Sequence, residues 1–245
     1  ISHHLERLYN TMQKNRNTIA KEKDNLQSLL SDISHQTKTP IANLKMLNET
    51  MLTRSITREQ RKTFLQATGS QLDKLDFLIQ AMVKTSRLES GAIALEKKNA
   101  PIEDALAAAI NGILALMEKK NITLTVNCPE GLTVFHDSRW TSEALFNLLD
   151  NAVKYTPAGG SMGVDVQDWE MYLKIDVTDT GRGIPEREQA AIFKRFYREE
   201  SVHDVDGIGI GLYLAREIIT MQGGYITVTS EVGKGSTFSA FLPRK

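Results

Sequence analysis

Asn147-Leu148-Leu149-Asp150-Asn151-Ala152-Val153-Lys154-Tyr155-Thr156-Pro157 is the stretch on which the reading of this chain turns. Its apolar residues recur at helical spacing and Pro157 cannot continue a helix. The pattern predicts a helix capped by Ser138 and running to about Tyr155. Asn147 and Asn151 are four apart, so their amides share one face, which Lys154 and Tyr155 extend by another turn. Asparagine is unfavourable in mid-helix without a use. Two amide oxygens can help to hold a magnesium ion that phosphates otherwise coordinate, and Lys154 can meet a phosphate as a point charge. Buried or capping asparagines are the alternative.

Two glycine-rich segments follow. Asp179-Thr180-Gly181-Arg182-Gly183 comes straight after a predicted strand. An ionised carboxylate only accepts hydrogen bonds, so Asp179 suits the exocyclic amino group of adenine, a donor. A turn with an Asx cap is the alternative. Gly207-Ile208-Gly209-Ile210-Gly211-Leu212 leads into a helix, where free N–H groups and the helix dipole favour a phosphate. It is neither a Walker loop nor a dinucleotide fingerprint. Around these segments the spacing predicts strands over 92–96, 122–127, 161–168, 171–178, 225–230 and 236–242, with helices over 101–119, 138–155 and 211–222. Antiparallel hairpins with three helices on one face make an α+β two-layer sandwich.

Upstream of residue 92 the period changes. Leu26, Leu30, Ile33, Thr37, Pro40, Leu44, Leu47 and Met51 alternate steps of four and three, and Leu65, Thr68, Leu72, Leu75, Ile79 and Met82 repeat the rule. These predict two long helices joined by a polar turn, with Thr57 as the N-cap of the second. A lone hairpin would leave an apolar stripe wet, so a homodimer closing a four-helix bundle is expected. Residues 1–25 read as a helical lead-in, and His3 and His4 as solvated.

Composition sets outer bounds. The 245 residues carry 41% hydrophobic positions, 30 basic and 30 acidic residues and zero net charge. Zero net charge and the lack of a basic-aromatic stripe disfavour nucleic-acid binding. The single cysteine, Cys128, excludes an intrachain disulfide and a four-cysteine zinc site. No apolar run spans a bilayer and no signal peptide is visible. The chain opens on Ile1 rather than methionine, which reads as the start of a fragment.

Of the five histidines, only His35 has a telling neighbourhood, Ser34-His35-Gln36-Thr37-Lys38-Thr39-Pro40. Ile33 lies on the seam, so His35 points away from it, toward solvent. Imidazole is in good part uncharged at neutral pH and therefore nucleophilic. Pro40 cannot donate to the Gln36 carbonyl, so a bend is expected there.

Taken together these segments resemble bacterial two-component sensor histidine kinases. The stretch 147–157 is similar to their N box, 179–183 to the first glycine box, 193–198 (Phe193-Lys194-Arg195-Phe196-Tyr197-Arg198) to the F box, and 207–212 to the second glycine box. Gly233-Lys234-Gly235-Ser236-Thr237-Phe238 is similar to the closing hairpin motif, and the region of His35 to the H box. The resemblance covers the chain from about residue 25 onward, with the motifs in family order. It implies a dimerisation and phosphotransfer hairpin (1–92) before a Bergerat-type ATP-binding domain (93–245), with a hinge near 91–99. ATP and Mg2+ are the implied cofactors. The resemblance makes Asn151 the main magnesium ligand with Asn147 beside it, and Asp179 the reader of adenine. Lys154, Tyr155, Gly181, Gly183, Phe193, Phe196, Arg198, Gly207, Gly209, Gly211, Leu212 and Thr237 complete the nucleotide site, with 198–206 as a mobile lid. His35 becomes the phosphoacceptor, and a response-regulator receiver domain the partner. The chain is then the cytoplasmic portion of a membrane sensor, tied to the membrane only through missing upstream segments.

Two positions matter for mechanism. The family usually has Glu or Asp after the histidine, to take the imidazole proton; here Gln36 can orient the ring but cannot accept that proton. Thr39, one turn on, matches the residue that supports dephosphorylation of the partner, with helix packing as its alternative. Related ATPases of the gyrase and chaperone kind hydrolyse ATP with a glutamate where this chain has Asn147. The expectation is a kinase, probed against an ATPase and a regulatory scaffold.

Overall fold

The computed structural model describes residues 2–89, 92–199 and 207–244, and the chain divides into two compact units, 1–83 and 84–245. The first is a helical hairpin of α1 (Ser2–Thr53) and α2 (Arg58–Glu89), the latter up to Val83. Thr57 caps α2 reciprocally: Gln60 N–H donates to Thr57 Oγ1 (3.1 Å) and Thr57 N–H to Gln60 Oε1 (2.9 Å). α1 continues through the buried Pro40 as one helix. Between the helices, Asn43 Nδ2 donates to Gln71 Oε1 at 3.5 Å.

The predicted seam is only partly covered. Thr37, Leu44, Leu47, Met51, Thr68 and Leu75 are half-buried, and Pro40 and Met82 are buried. Leu65, Leu72 and Ile79 remain 57%, 54% and 53% exposed. α2 therefore leaves wet the apolar stripe that a lone hairpin is expected to expose. Two helices can cover only one side of each other, and the exposed stripe recurs at the seven-residue step of a bundle.

The second unit is a two-layer α/β sandwich. Its five-stranded sheet has the order β2-β4-β5-β7-β6, formed by β2 (Thr123–Asn127), β4 (Ser161–Asp168), β5 (Tyr172–Asp179), β6 (Tyr225–Glu231) and β7 (Gly235–Pro243). Only β2–β4 is parallel. Val164, Val166, Leu173, Ile175, Val177, Phe238, Ala240 and Leu242 are buried, as are Leu145, Leu148 and Leu149 of α5 (Ser138–Tyr155) and Ile218 and Ile219 of α7 (Gly211–Met221). Each large side chain so buried contributes about 1.5–3 kcal/mol. The alternate strand positions carry hydrogen-bonded polar rows, such as Ser239 Oγ to Asp176 Oδ1 (2.5 Å) and Asn127 Nδ2 to Asp165 Oδ1 (2.6 Å).

Several local expectations are corrected. Residues 92–96 are not a strand; β1 is Lys98–Pro101, antiparallel to a second unforeseen strand, β3 (Thr133–His136). Glu96 N–H donates instead to Asp137 Oδ2 (2.8 Å). The N-cap of α5 is Asp137, not Ser138: its Oδ1 accepts from Trp140 N–H at 3.1 Å. The helix over 101–119 is two, α3 (Ile102–Asn111) and α4 (Leu114–Lys120), broken at Gly112. A Cβ at Gly112 would lie 2.8 Å from the Phe146 ring, so the break packs against α5. A short α6 (Glu186–Gln189), followed by a 3-10 turn over Ala191–Phe193, was also unforeseen.

Candidate functional site

In the second unit the C-terminal half of α5 faces the turn that opens α7. Asn147 Nδ2 donates to the Glu143 carbonyl (2.8 Å), which turns its Oδ1 toward Gly211. A Cβ at Gly211 would stand 2.9 Å from that oxygen, so glycine is what admits the amide. Asn151, half-buried, lies one turn further along the same face. Lys154 pairs with Asp150 at 2.6 Å. Lys120 Nζ donates to the carbonyls of Val153 (2.8 Å), Lys154 (2.8 Å) and Thr156 (3.1 Å), closing the C-terminus of α5 beneath these side chains.

Asp179 ends β5 with 3% exposure. Its Oδ1 accepts from Gly181 N–H at 2.8 Å, and the Ser236 N–H also donates to the carboxylate. Burial pushes its pKa up, and these two donors hold it down. The glycines around it are places of backbone contact. A Cβ at Gly181 would lie 2.6 Å from the Tyr155 carbonyl, and one at Gly183 (φ +71°) 2.0 Å from the Glu231 carbonyl. Burial raises the Tyr155 phenol, against the Arg198 and Arg182 guanidinium charges. Arg182 pairs with Glu199 at 3.1 Å.

Phe193 is buried, edge-on to Phe238 at 6.3 Å, with Arg216 over its ring at 5.4 Å. Phe196 adopts φ +57°. A Cβ at Gly209 (φ +77°) would fall 2.5 Å from the Tyr197 carbonyl, so the F-box and second glycine-box backbones touch. Arg198, Gly207 and Leu212 are half-buried. The expected lid over 198–206 lies outside the described residues except for Arg198 and Glu199.

Thr237 lies on the other face of β7 from the partner of Asp179. It pairs with Thr178, and the two hydroxyls bond at 3.0 Å on the sheet face away from Asp179. Ser236, the register partner of Asp179, shares its face and was missed. Strand alternation could have found it, because a one-residue step along a strand reverses the face.

In the first unit, His35 and Thr39 are exposed on α1, and Gln36 is half-buried. Among the described residues, no three His, Cys, Asp or Glu side chains gather to hold a metal ion, and no helix is long and apolar enough to cross a membrane. Asn147 and Asn151 offer amide oxygens and Asp179 a buried carboxylate, donor types suited to magnesium shared with phosphates and to an amino-bearing base.

Residues 25–91 match the family model of the His Kinase A (phospho-acceptor) domain, and residues 136–245 that of the histidine kinase-, DNA gyrase B-, and HSP90-like ATPase. The chain is 30% identical over 237 residues to the adaptive-response sensory kinase SasA of Synechococcus sp. (strain JA-2-3B'a(2-13)), covering 95% of this chain and 63% of that protein. It therefore spans less than two thirds of that relative's length. Among solved structures it is similar to full-length ShkA in complex with AMPPNP, with TM-score 0.65 and 25% identity over 89% of this chain and 45% of that one. The histidine kinase ThkA, solved in complex with the response regulator protein TrrA, shares the fold, with TM-score 0.76 and 20% identity over 92% of this chain and 64% of that one. With both domain models matched in order, and with His35 inside the first and Asn147, Asp179 and Gly211 inside the second, the chain belongs to the bacterial two-component sensor histidine kinases.

Proposed function

We propose that this chain is the catalytic core of a sensor histidine kinase that transfers the γ-phosphoryl group of ATP to His35. The reading assigns residues 1–92 to a dimerisation and phosphotransfer hairpin and 93–245 to the ATP-binding domain. The observation that carries it is a pair of close approaches: Asn147 Oδ1 would lie 2.9 Å from a Cβ at Gly211, and Gly181, whose N–H donates to Asp179, has room for no Cβ beside the Tyr155 carbonyl.

Adenine's amino group would donate to Asp179, with the Ser236 side of β7 flanking it. The phosphates would meet free N–H groups in the turn opening α7, Gly209–Gly211. Asn151, with Asn147 beside it, would hold Mg2+, whose bound charge offsets that of the phosphates. An exposed imidazole nitrogen of His35 attacks the γ-phosphorus: a P–N bond forms, the bond to the bridging oxygen breaks, and ADP leaves. The imidazole proton passes to water, since Gln36 cannot accept it. Asn147 stands where hydrolysing relatives place a general base, so water is not activated and the phosphoryl group is kept for His35. A receiver-domain aspartate then takes it.

The exposed Leu65, Leu72 and Ile79 support a homodimer in which a second hairpin covers them. We place the chain on the cytoplasmic side of a membrane sensor. Gln36 favours a second reading, a core biased toward dephosphorylating its partner, with Thr39 holding the water. Incubation with γ-labelled ATP separates the readings. Acid-labile label present in wild type and lost in His35→Ala supports the kinase. Free phosphate without protein label points to an ATPase, and neither to a scaffold.

A further inference from the structure

Glu89 closes α2 within the 84–245 unit and takes no part in the steps above. Arg195 Nη1 donates to both its carboxylate oxygens, at 2.9 and 3.1 Å, and the Tyr213 hydroxyl donates to Glu89 Oε1. The Arg195 guanidinium lies 5.7 Å over the Tyr213 ring. Arg195 and Glu89 are only 13% and 18% exposed at their side chains, so water screens the pair little.

The two donors come from the two segments that frame the phosphate side of the site. Arg195 directly precedes Phe196, whose φ of +57° is unfavourable for an aromatic residue and persists only where neighbours impose it. Tyr213 is two residues beyond Gly211, which admits the Asn147 amide. Glu217, one turn further along α7, also senses the charges of Arg216, Glu89 and Arg195.

We propose that Glu89 is a positioning residue for nucleotide binding: by holding Arg195 and Tyr213 on one carboxylate it fixes the F-box segment 193–198 against the first turn of α7, and so sets the Gly211–Asn147 edge. This rests on the nucleotide reading of that edge. The chemistry needs the edge and not Glu89 itself, so loss of Glu89 raises KM for ATP and leaves kcat for His35 phosphorylation near wild type.

The test is calorimetric titration with magnesium and AMPPNP of wild type, Glu89→Gln, Tyr213→Phe and the double variant, with a melting curve for each. Glu89→Gln is expected to weaken binding about tenfold and Tyr213→Phe about threefold. The double variant should bind no more weakly than Glu89→Gln, because both act through one carboxylate. Wild-type affinity in Glu89→Gln, or losses that simply multiply, would overturn the proposal. If Glu89→Gln melts below the titration temperature, Tyr213→Phe decides alone: weakened binding supports the proposal and wild-type affinity overturns it. Failure of wild type itself to bind AMPPNP would instead overturn the nucleotide reading, and this inference with it.

Discussion

The side-chain oxygen of Asn147 stands 2.9 Å from where a Cβ on residue 211 would lie, so α5 and the turn opening α7 meet through a missing side chain. The obstructing atom is the far end of a movable amide, so Gly211→Ala should fold. Its methyl group would turn the amide oxygen out of the site, and AMPPNP affinity should fall about tenfold. Gly235→Ala is the contrasting case: its Cβ would fall 1.9 Å from the Asp179 backbone carbonyl, at φ +104°. That backbone cannot yield, and loss of folding is expected. Melting curves and titrations of both variants check the contrast; wild-type affinity in Gly211→Ala would contradict it.

Lys120 reaches three carbonyls at the end of α5. Lys120→Met keeps much of the stem and removes the donors, leaving helix-terminal carbonyls short of partners. We expect a loss of about 1–3 kcal/mol, seen by circular dichroism as a melting point lower by about 5 °C. An unchanged melting point would show that water replaces the ammonium without cost.

His136 is fully buried, and its Nδ1 lies 2.9 Å from Thr141 Oγ1. Burial lowers its pKa, with the Ala100 backbone and the Asp137 charge opposing. The unfolded chain therefore binds the imidazole proton more readily than the folded one. Stability from the neutral ring is complete above the unfolded value of about 6.5 and declines as pH falls from there toward the lowered folded value. The melting point should drop between about pH 7 and 5, and less steeply in His136→Phe, which cannot titrate. Equal slopes would remove His136 from the account.

Gln36 and Thr39 flank the proposed phosphoacceptor on α1. Gln36→Glu supplies a proton acceptor and should raise the rate of His35 labelling by about tenfold or more. An unchanged or lower rate would count against proton removal as the step that Gln36 slows. Thr39→Ala should keep labelling and lose dephosphorylation of a phosphorylated receiver domain; retained dephosphorylation would leave Thr39 a packing residue.

Periodicity was enough to read the hairpin, because α1 and α2 repeat their apolar steps over many turns. Motif order was enough for the Asn147, Asp179 and Gly211 segments, which local sequence places at a helix face, a strand end and a helix start. What escaped depended on contacts distant in sequence. The break at Gly112 follows from Phe146 on α5, and β3 is four residues that pair only with β1. The motif puts Thr237 in the neighbourhood of Asp179, and only the pleat shows that it faces the other way. Glu89 carries no motif of its own, since Arg195 and Tyr213 reach it from over a hundred residues away.

The central claim is tested most directly by locating the covalent product. Wild type is incubated with magnesium and ATP, digested at alkaline pH, and sequenced by tandem mass spectrometry. The account predicts one added phosphoryl group on the peptide containing Ser34-His35-Gln36, assigned to His35 and removed by brief acid treatment. A phosphoryl group on another residue, or on His35-free peptides alone, would contradict it.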